Sequence, residues 1–327
     1  MNLPLVSVIM PVYNSSEFLR SSLECILNQT YTNFEFIIID DGSSDNTSQI
    51  IESYSDTRIK YIKSEHKGFI YQLNYGLEIS KGEFIARMDG DDLTHLERFE
   101  KEVEILTSDK TITLVGTNFY YVNHKGKILQ SKNFPEFNED IEFMMPVIPS
   151  ILHGSMMVYK SALIDVGGYD PDNFSEDPVL FMKLLSAGFK MYNIQEFLYS
   201  YRIVNKPEVY YRKHFEDYYK YSVKYLNKLY QNKKELEVKS VYNYRRGLVE
   251  YYIGKPSESR KYFKECLHSH DISKLSVLRY YLISYLGNEL LDFIRKKNIA
   301  ARINFLIHKI FKIDTNKILK PKKGKVV

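Results

Sequence analysis

Tryptophan is absent from this chain, cysteine is reduced to Cys25 and Cys266, and no run of apolar residues approaches the ~20 that span a bilayer. Two cysteines without metal spacing exclude a disulfide framework or a cysteine-rich zinc module and fit a reducing cytoplasm. The first residues show no basic segment ahead of an apolar one, so no signal peptide is expected. No Gly-X-Gly-X-X-Gly follows an apolar run, which removes the dinucleotide-dependent dehydrogenases. What remains is a 327-residue chain, 44% hydrophobic and 26% charged, with room for a sizeable core and two domains.

The charge is divided along the chain. Residues 206–327 hold 28 of the 45 Lys and Arg and 12 of the 41 Asp and Glu, a net +16, which leaves residues 1–205 at −12. This shift predicts a boundary near Asn205, followed by a Tyr/Lys-rich domain of helical pattern. Within it, residues 241–270 resemble one tetratricopeptide-type hairpin, with Gly247, Tyr251, Gly254, Phe263 and Leu267 near the expected spacing, and one unit cannot make a solenoid. Further on, Ile299, Ile303, Leu306, Ile307, Ile310 and Phe311 recur at helical spacing among Lys296, Lys297, Arg302, His308, Lys309 and Lys312. Core packing accounts for the apolar stripe. An anionic membrane surface accounts for the charge as well, at roughly 1 kcal/mol per nearby Lys or Arg. The acidic first domain and the lack of a binding module argue against nucleic acid as a partner.

Residues 5–12 read as a buried strand, followed by Tyr13-Asn14-Ser15-Ser16 as a cap for a helix over 17–28. A second strand, 34–39, ends on Asp40-Asp41-Gly42 and leads to a helical stretch at 49–54; strands at 59–62 and 83–88 flank a helix at 69–79. Apolar strands alternating with helices and ending in polar loops imply a parallel sheet covered on both faces. Ligands of such sheets gather at the carboxyl ends of the strands, where Tyr13, Asp41 and Asp91 fall.

The last of these strands runs into Asp89-Gly90-Asp91-Asp92. Three carboxylates in four residues repel one another unless something positive sits among them, and a hard divalent cation relieves this most directly. Mg²⁺ or Mn²⁺ is typically held by one or two carboxylates and leaves its other positions to water and phosphate oxygens, so the pattern suggests chemistry on a nucleotide diphosphate. The plainer alternative is a charged turn in which Asp92 caps a helix beginning near Thr94.

Four motifs stand in order: Val-Ser-Val-Ile-Met-Pro-Val-Tyr-Asn at 6–14, Asp-Asp-Gly-Ser-Ser-Asp-Asn-Thr at 40–47, Lys-Gly-Glu-Phe-Ile-Ala-Arg-Met-Asp-Gly-Asp-Asp at 81–92 and Ser-Glu-Asp at 175–177. Together they resemble the family 2 inverting glycosyltransferases of the glycosyltransferase A fold, over residues 4–203. The resemblance implies an α/β catalytic domain at 1–205, with a mostly parallel sheet between helices, joined to a C-terminal helical domain at 206–327. It implies transfer of a hexosyl or N-acetylhexosaminyl group from a nucleotide-diphosphate donor, UDP-linked, to a capsule, O-antigen or exopolysaccharide acceptor, free or lipid-linked, at the cytoplasmic face of the membrane. Pro11, Val12 and Tyr13 would line the base pocket, with the Tyr13 ring stacking on uracil. Asp41 would accept from the base imide or the ribose, while Asp40 turns inward to brace its loop. Asp89, Gly90 and Asp91 would face the donor, Asp91 as the direct ligand of Mn²⁺ or Mg²⁺ and Asp89 holding ribose or coordinated water.

Inversion needs a base on the face opposite the leaving group. Asp177 is the first candidate and Glu176 the second; the aromatic-acidic pair that usually follows in the family is replaced by Pro178-Val179-Leu180-Phe181, which leaves open which carboxylate faces the acceptor. Acidic residues opening a helix, with Pro178 early in it, are the structural alternative. His153, beside Gly154 and ahead of a strand at 156–159, could border the acceptor cleft. The spanning segments and Gln-X-X-Arg-Trp motif of processive synthases in the family are missing, so single addition is favoured. Two rival readings remain: a sugar-nucleotide nucleotidyltransferase, which would want a glycine-rich basic loop where Tyr13-Asn14-Ser15-Ser16-Glu17 stands, and a catalytically silent scaffold of a glycan-assembly complex.

Overall fold

The computed structural model describes residues 3–204, 208–230, 236–252, 255–267 and 281. Strands β1 (Val6–Val12), β2 (Phe34–Asp40), β3 (Ile59–Lys63) and β4 (Phe84–Arg87) alternate with helices α1 (Leu19–Leu27), α2 (Thr47–Glu52) and α3 (Phe69–Ile79). They are followed by β5 (Leu93–Thr94), α4 (Arg98–Ser108), β6 (Ile112–Val122), β7 (Ile128–Lys132), α5 (Asn138–Met144), a single 3₁₀ turn at His153–Ser155, β8 (Met157–Tyr159), α6 (Lys160–Asp165), α7 (Glu176–Ser186) and β9 (Lys190–Arg202). Helices α8 (Glu208–Tyr230), α9 (Leu236–Tyr252) and α10 (Pro256–Cys266) complete the described chain.

The strands form one mixed sheet in the order β3-β2-β1-β4-β8-β6-β9-β5, with β7 paired to β6. The first four are mutually parallel and apolar enough to be covered on both faces: every residue of β1 is buried, as is every residue of β2 except the half-buried Glu35. Glu35 is tolerated there because the Ser7 hydroxyl and the Lys81 amide both donate to it. Beyond β4 the directions mix, β8 being antiparallel to both β4 and β6. Because β1 lies between β2 and β4, the chain reverses its progress across the sheet there, and the loops after β1, β2 and β4 open into one crevice at the carboxyl ends.

Several local expectations change. Residues 93–94 pair with Tyr199 and Ser200 of β9 as a short strand, and the following helix begins only at Arg98, so Asp92 caps nothing. The Ser15 carbonyl, not a side chain, receives the first amides of α1, at Phe18 and Leu19. Asn14 instead takes a left-handed turn (φ 47°) and its side chain accepts from the Ser44 amide.

Two compact units divide at Tyr218/Tyr219, some way into α8 and beyond the charge shift near Asn205. Asp217 accepts the Phe174 amide at 2.8 Å and the Tyr218 hydroxyl donates to the Met145 carbonyl, so the start of α8 belongs with the sheet. In the second unit α9 and α10 pack as a hairpin whose close approach requires Gly247: a Cβ there would lie 2.6 Å from the Phe263 ring. Gly254 and residues 268–270 lie outside the described residues, as does the whole basic amphipathic stretch at 296–312. No described helix is long and apolar enough to cross a membrane.

One core pair has a measurable consequence. Glu102 is fully buried 3.9 Å from Arg98, neither carboxyl oxygen has a hydrogen-bond partner, and burial pushes its pKa from 4.5 up to about 8 despite the arginine. The folded state therefore holds this proton between pH 4.5 and about 8 while the unfolded chain has released it. Stability from this group is full below pH 4.5 and is lost as pH rises through that window, by up to ~1.4 kcal/mol per unit. Glu102→Gln should flatten this slope in chemical denaturation measured from pH 5 to 8.

Candidate active site

Burial of Arg87 organises the acidic loop. It ends β4, is 1% exposed, and pairs with an Asp89 carboxylate oxygen while its guanidinium also donates to the Met88 carbonyl. Arg87 thus offsets the charge of Asp89 from within the protein. Asp92 is relieved differently: its carboxyl accepts from the Tyr199 hydroxyl at 2.9 Å and the Arg202 amide at 2.7 Å. Burial, and after it the charges of Asp89 and Asp91, push Asp92 well above the usual carboxylate range. Asp91 is half-buried, with its backbone carbonyl held by Arg202 Nε at 2.7 Å. Gly90 permits the crossing of β1 beneath it, since a Cβ would come within 2.8 Å of a Val12 methyl. Among the described residues no three His, Cys, Asp or Glu side chains gather as a metal cage.

At the neighbouring strand ends, Pro11 and Val12 are buried in β1 while Tyr13 emerges 49% exposed, its ring 4.5 Å from that of His66. Tyr13 is therefore no part of the sheet packing. Asp40 turns inward, accepting from the Ser43 amide and from the Ser48 and Tyr61 hydroxyls; these hydrogen bonds outweigh burial and lower its pKa. The carboxylate of Asp41 meets the Lys67 amide (2.8 Å), the Gly68 amide (3.0 Å), Gln72 Nε2 and His66 Nδ1 (2.9 Å). Gly68 stands at φ 92°, a left-handed conformation that glycine accepts without strain.

On the far side of Asp89, Ser175 precedes α7 and Glu176 and Asp177 are its first two residues. Asp177 is half-buried, and its buried Oδ1 has no hydrogen-bond partner. Burial, and after it the Glu176 charge, hold its pKa well above the carboxylate range; the charges of Asp89 and Arg87 also bear on it. His153 lies inside rather than at an open rim. It is 6% exposed, edge-on to the Tyr169 and Phe181 rings, with Nε2 2.8 Å from the Tyr169 hydroxyl. Burial, then Arg87, pushes its pKa well down, so the ring is neutral. The adjacent Gly154 is required by close approach: a Cβ would fall 2.3 Å from the Tyr199 hydroxyl and 3.0 Å from Asp89 Oδ2.

Motif reading passed over Arg87, Tyr169 and His66. An arginine in an apolar strand was itself a signal, since a buried charge needs a partner. Tyr169 follows two glycines in left-handed turns and is clamped by Asn74 through two 2.9 Å hydrogen bonds; nothing local in the sequence announces that.

Comparison with known proteins places this geometry. The family description "Glycosyl transferase family 2" matches residues 7–167. EpsE of Bacillus subtilis (strain 168) is 34% identical over 215 residues, covering 61% of this chain and 73% of EpsE. The chain belongs to glycosyltransferase family 2. The O-antigen biosynthesis glycosyltransferase WbnJ of Escherichia coli is 31% identical over 209 residues, with 62% of this chain and 82% of WbnJ covered. Among solved structures, the mannosyltransferase PcManGT of Pyrobaculum calidifontis in complex with GDP-Man and Mn²⁺ superposes with TM-score 0.57 at 17% identity, covering 94% of this chain and 88% of that one. TarS 1–349 of S. aureus in complex with UDP-GlcNAc gives 0.55 at 17% identity, covering 89% and 92%. The fold is that of the A-type glycosyltransferases, and this family 2 member is a glycosyltransferase; the nucleotidyltransferase reading lapses.

Proposed function

We propose that this enzyme transfers a single sugar from a UDP-linked donor to a surface-glycan acceptor, with inversion and with Mn²⁺ or Mg²⁺ as cofactor. The carrying observation is the half-buried Asp177 carboxyl, whose buried Oδ1 is unpartnered and which is close enough to Asp89 for the two charges to interact. A buried oxygen without a donor costs free energy that an incoming hydroxyl recovers. The acceptor hydroxyl fills that role: it gives its proton to Asp177 as its oxygen attacks the anomeric carbon, and the bond to the nucleoside diphosphate breaks on the opposite face in the same displacement. Glu176 keeps the carboxyl basic enough to take the proton. Tyr13, with Pro11 and Val12 behind it, takes the base, and Asp41, whose carboxylate also meets the 66–72 loop, accepts from the base imide or the ribose.

The donor set fits a hard cation in an oxygen site. Asp91 would hold it, with Asp89, which also pairs with Arg87, beside it, and diphosphate and water would complete the shell. Bound there, such an ion neutralises charge on the departing diphosphate. His153 acts at the acceptor side only through Tyr169 and Arg87. The WbnJ relationship favours a surface glycan as acceptor. The test is a panel of nucleotide sugars assayed for binding and slow hydrolysis with Mn²⁺, Mg²⁺ or a chelator. UDP-sugars should bind and hydrolyse with metal and not with chelator. Full activity under chelation would remove the metal, and binding of none of the panel would remove the donor assignment.

A further inference from the structure

The hairpin of β6 and β7 departs from the chemistry of the domain that carries it. Residues 110–135 hold four lysines and no acidic residue, although residues 1–205 as a whole carry a net charge of −12. Two of those lysines form the tip. Asn123 closes the turn, its side-chain oxygen accepting the Lys125 and Lys127 amides at 3.0 and 2.9 Å, and Gly126 takes the left-handed conformation (φ 76°) that reverses the chain. Lys125 and Lys127 are both exposed on this fixed turn. Glu17, which faces it, meets His124 Nδ1 at 3.0 Å. Just past the tip, Ile128 and Leu129 are 54% and 55% exposed. Neighbouring residues of a strand point to opposite faces, so both faces of β7 are bare at this end. The apolar surface continues across β6: Ile203, whose amide donates to the carbonyl of Val122, the partner of Ile128, is exposed, as is Val204. Exposed apolar residues scattered singly are ordinary, whereas four together beside two lysines mark a surface with a partner.

We propose that the tip of the β6–β7 hairpin, with Ile203 and Val204, is a docking surface for an anionic lipid bilayer, Lys125 and Lys127 meeting the headgroups while Ile128 and Leu129 enter the interface. Charge complementarity selects this occupant. An anionic leaflet repels the acidic remainder of the domain and attracts the lysine tip, so the hairpin is the approach such a surface permits. A bilayer interface also surrounds a projecting tip and covers both of its faces, which a strand added along one edge does not. Lysine on an edge strand commonly guards it against pairing with another chain, but here the exposed run Ile128-Leu129-Gln130-Ser131 is uncharged and the two exposed lysines sit in the turn. This surface lies wholly within the first compact unit and is separate from the basic stretch at 296–312. Arg202 ties it to the site: the guanidinium donates to the Asn123 and His124 carbonyls at 3.1 and 2.7 Å, and Nε to the Asp91 carbonyl. Docking therefore brings the acidic loop to the lipid surface, where a lipid-linked acceptor is presented. That last step rests on the acceptor reading above; the docking itself does not.

The absence of tryptophan supplies the probe. In the full chain, Leu129→Trp places a single indole on the hairpin. Ile164→Trp places one at an exposed position of α6, which begins beside the amino end of β4 and so at the opposite pole of the sheet. Vesicles of mixed phosphatidylglycerol and phosphatidylcholine should move the Leu129→Trp emission to shorter wavelength, and brominated lipid should quench it, while Ile164→Trp is unchanged and pure phosphatidylcholine acts more weakly. Adding Lys125→Glu and Lys127→Glu to Leu129→Trp should raise the lipid concentration at half-shift by at least about twentyfold, since each lysine near an anionic leaflet contributes roughly fivefold. Thermal melting checks folding, and if Leu129→Trp fails to fold, Ile128→Trp reads the same surface. Vesicle binding with no change in the hairpin indole overturns the proposal, as does a shift that survives charge reversal. A shift that appears without vesicles as protein concentration rises assigns the surface to a second copy of the chain and overturns it too. Failure of the nucleotide-sugar panel leaves these outcomes untouched, so the two readings fail separately.

Discussion

Asp177→Asn should bind UDP-sugar within a factor of about three of the wild type and yet lose sugar transfer by 10²–10⁴-fold, the usual contribution of a positioned general base. The substitution keeps shape and removes the proton acceptor, so the loss falls on kcat and spares ground-state binding. Side-by-side donor titration and single-turnover transfer would measure it. If Glu176→Gln gives that pattern and Asp177→Asn does not, the two roles exchange. The pH profile offers a second reading with a defined sign. Burial and the Glu176 charge hold Asp177 well above the ordinary carboxylate range, so transfer should rise with pH through a correspondingly high value and fail below it. Glu176→Gln removes the second of those causes and should move the acid limb to lower pH.

The Asp91→Asn variant should suffer in a different way. Here donor binding and turnover fall together, by roughly 10²–10³-fold, because charge stabilisation of several kcal/mol is lost both for the bound diphosphate and as it departs. Excess Mn²⁺ should restore part of the binding. Wild-type rates for Asp91→Asn in the presence of a chelator would exclude a metal-dependent mechanism.

The alternation of buried strands and helices in residues 5–88 was legible because each strand is apolar throughout and each loop polar, and α3 stands where its periodicity placed it, at Phe69–Ile79. Past Arg87 the chain was harder to read. β5 is two residues long and owes its existence to β9, a hundred residues later, so no local pattern could separate it from the helix expected there. The acidic cluster shows the same limit. Its spacing suggested a cation site, but not that Arg87 of β4 would pair with Asp89 or that Tyr199 and Arg202 of β9 would both take the Asp92 carboxyl. Motif order pointed to Asp177, but the burial of its unpartnered Oδ1 depends on packing around α7. For Asp41 a role at the strand end was visible, while the contact of its carboxylate with the 66–72 loop was not.

The pairing of Arg87 with Asp89 also limits how this sequence can drift. Losing Asp89 alone strands a 1%-exposed guanidinium, and losing Arg87 alone returns an unrelieved negative charge to the loop beside Asp91 and Asp92. Breaking a buried pair from one side costs ~3–5 kcal/mol, a large share of a domain's stability. Either step is a fitness valley, whereas simultaneous replacement is not, so among descendants of this protein the two positions should be retained or exchanged together. Position 89 would then be held as much by its obligation to residue 87 as by selection on catalysis.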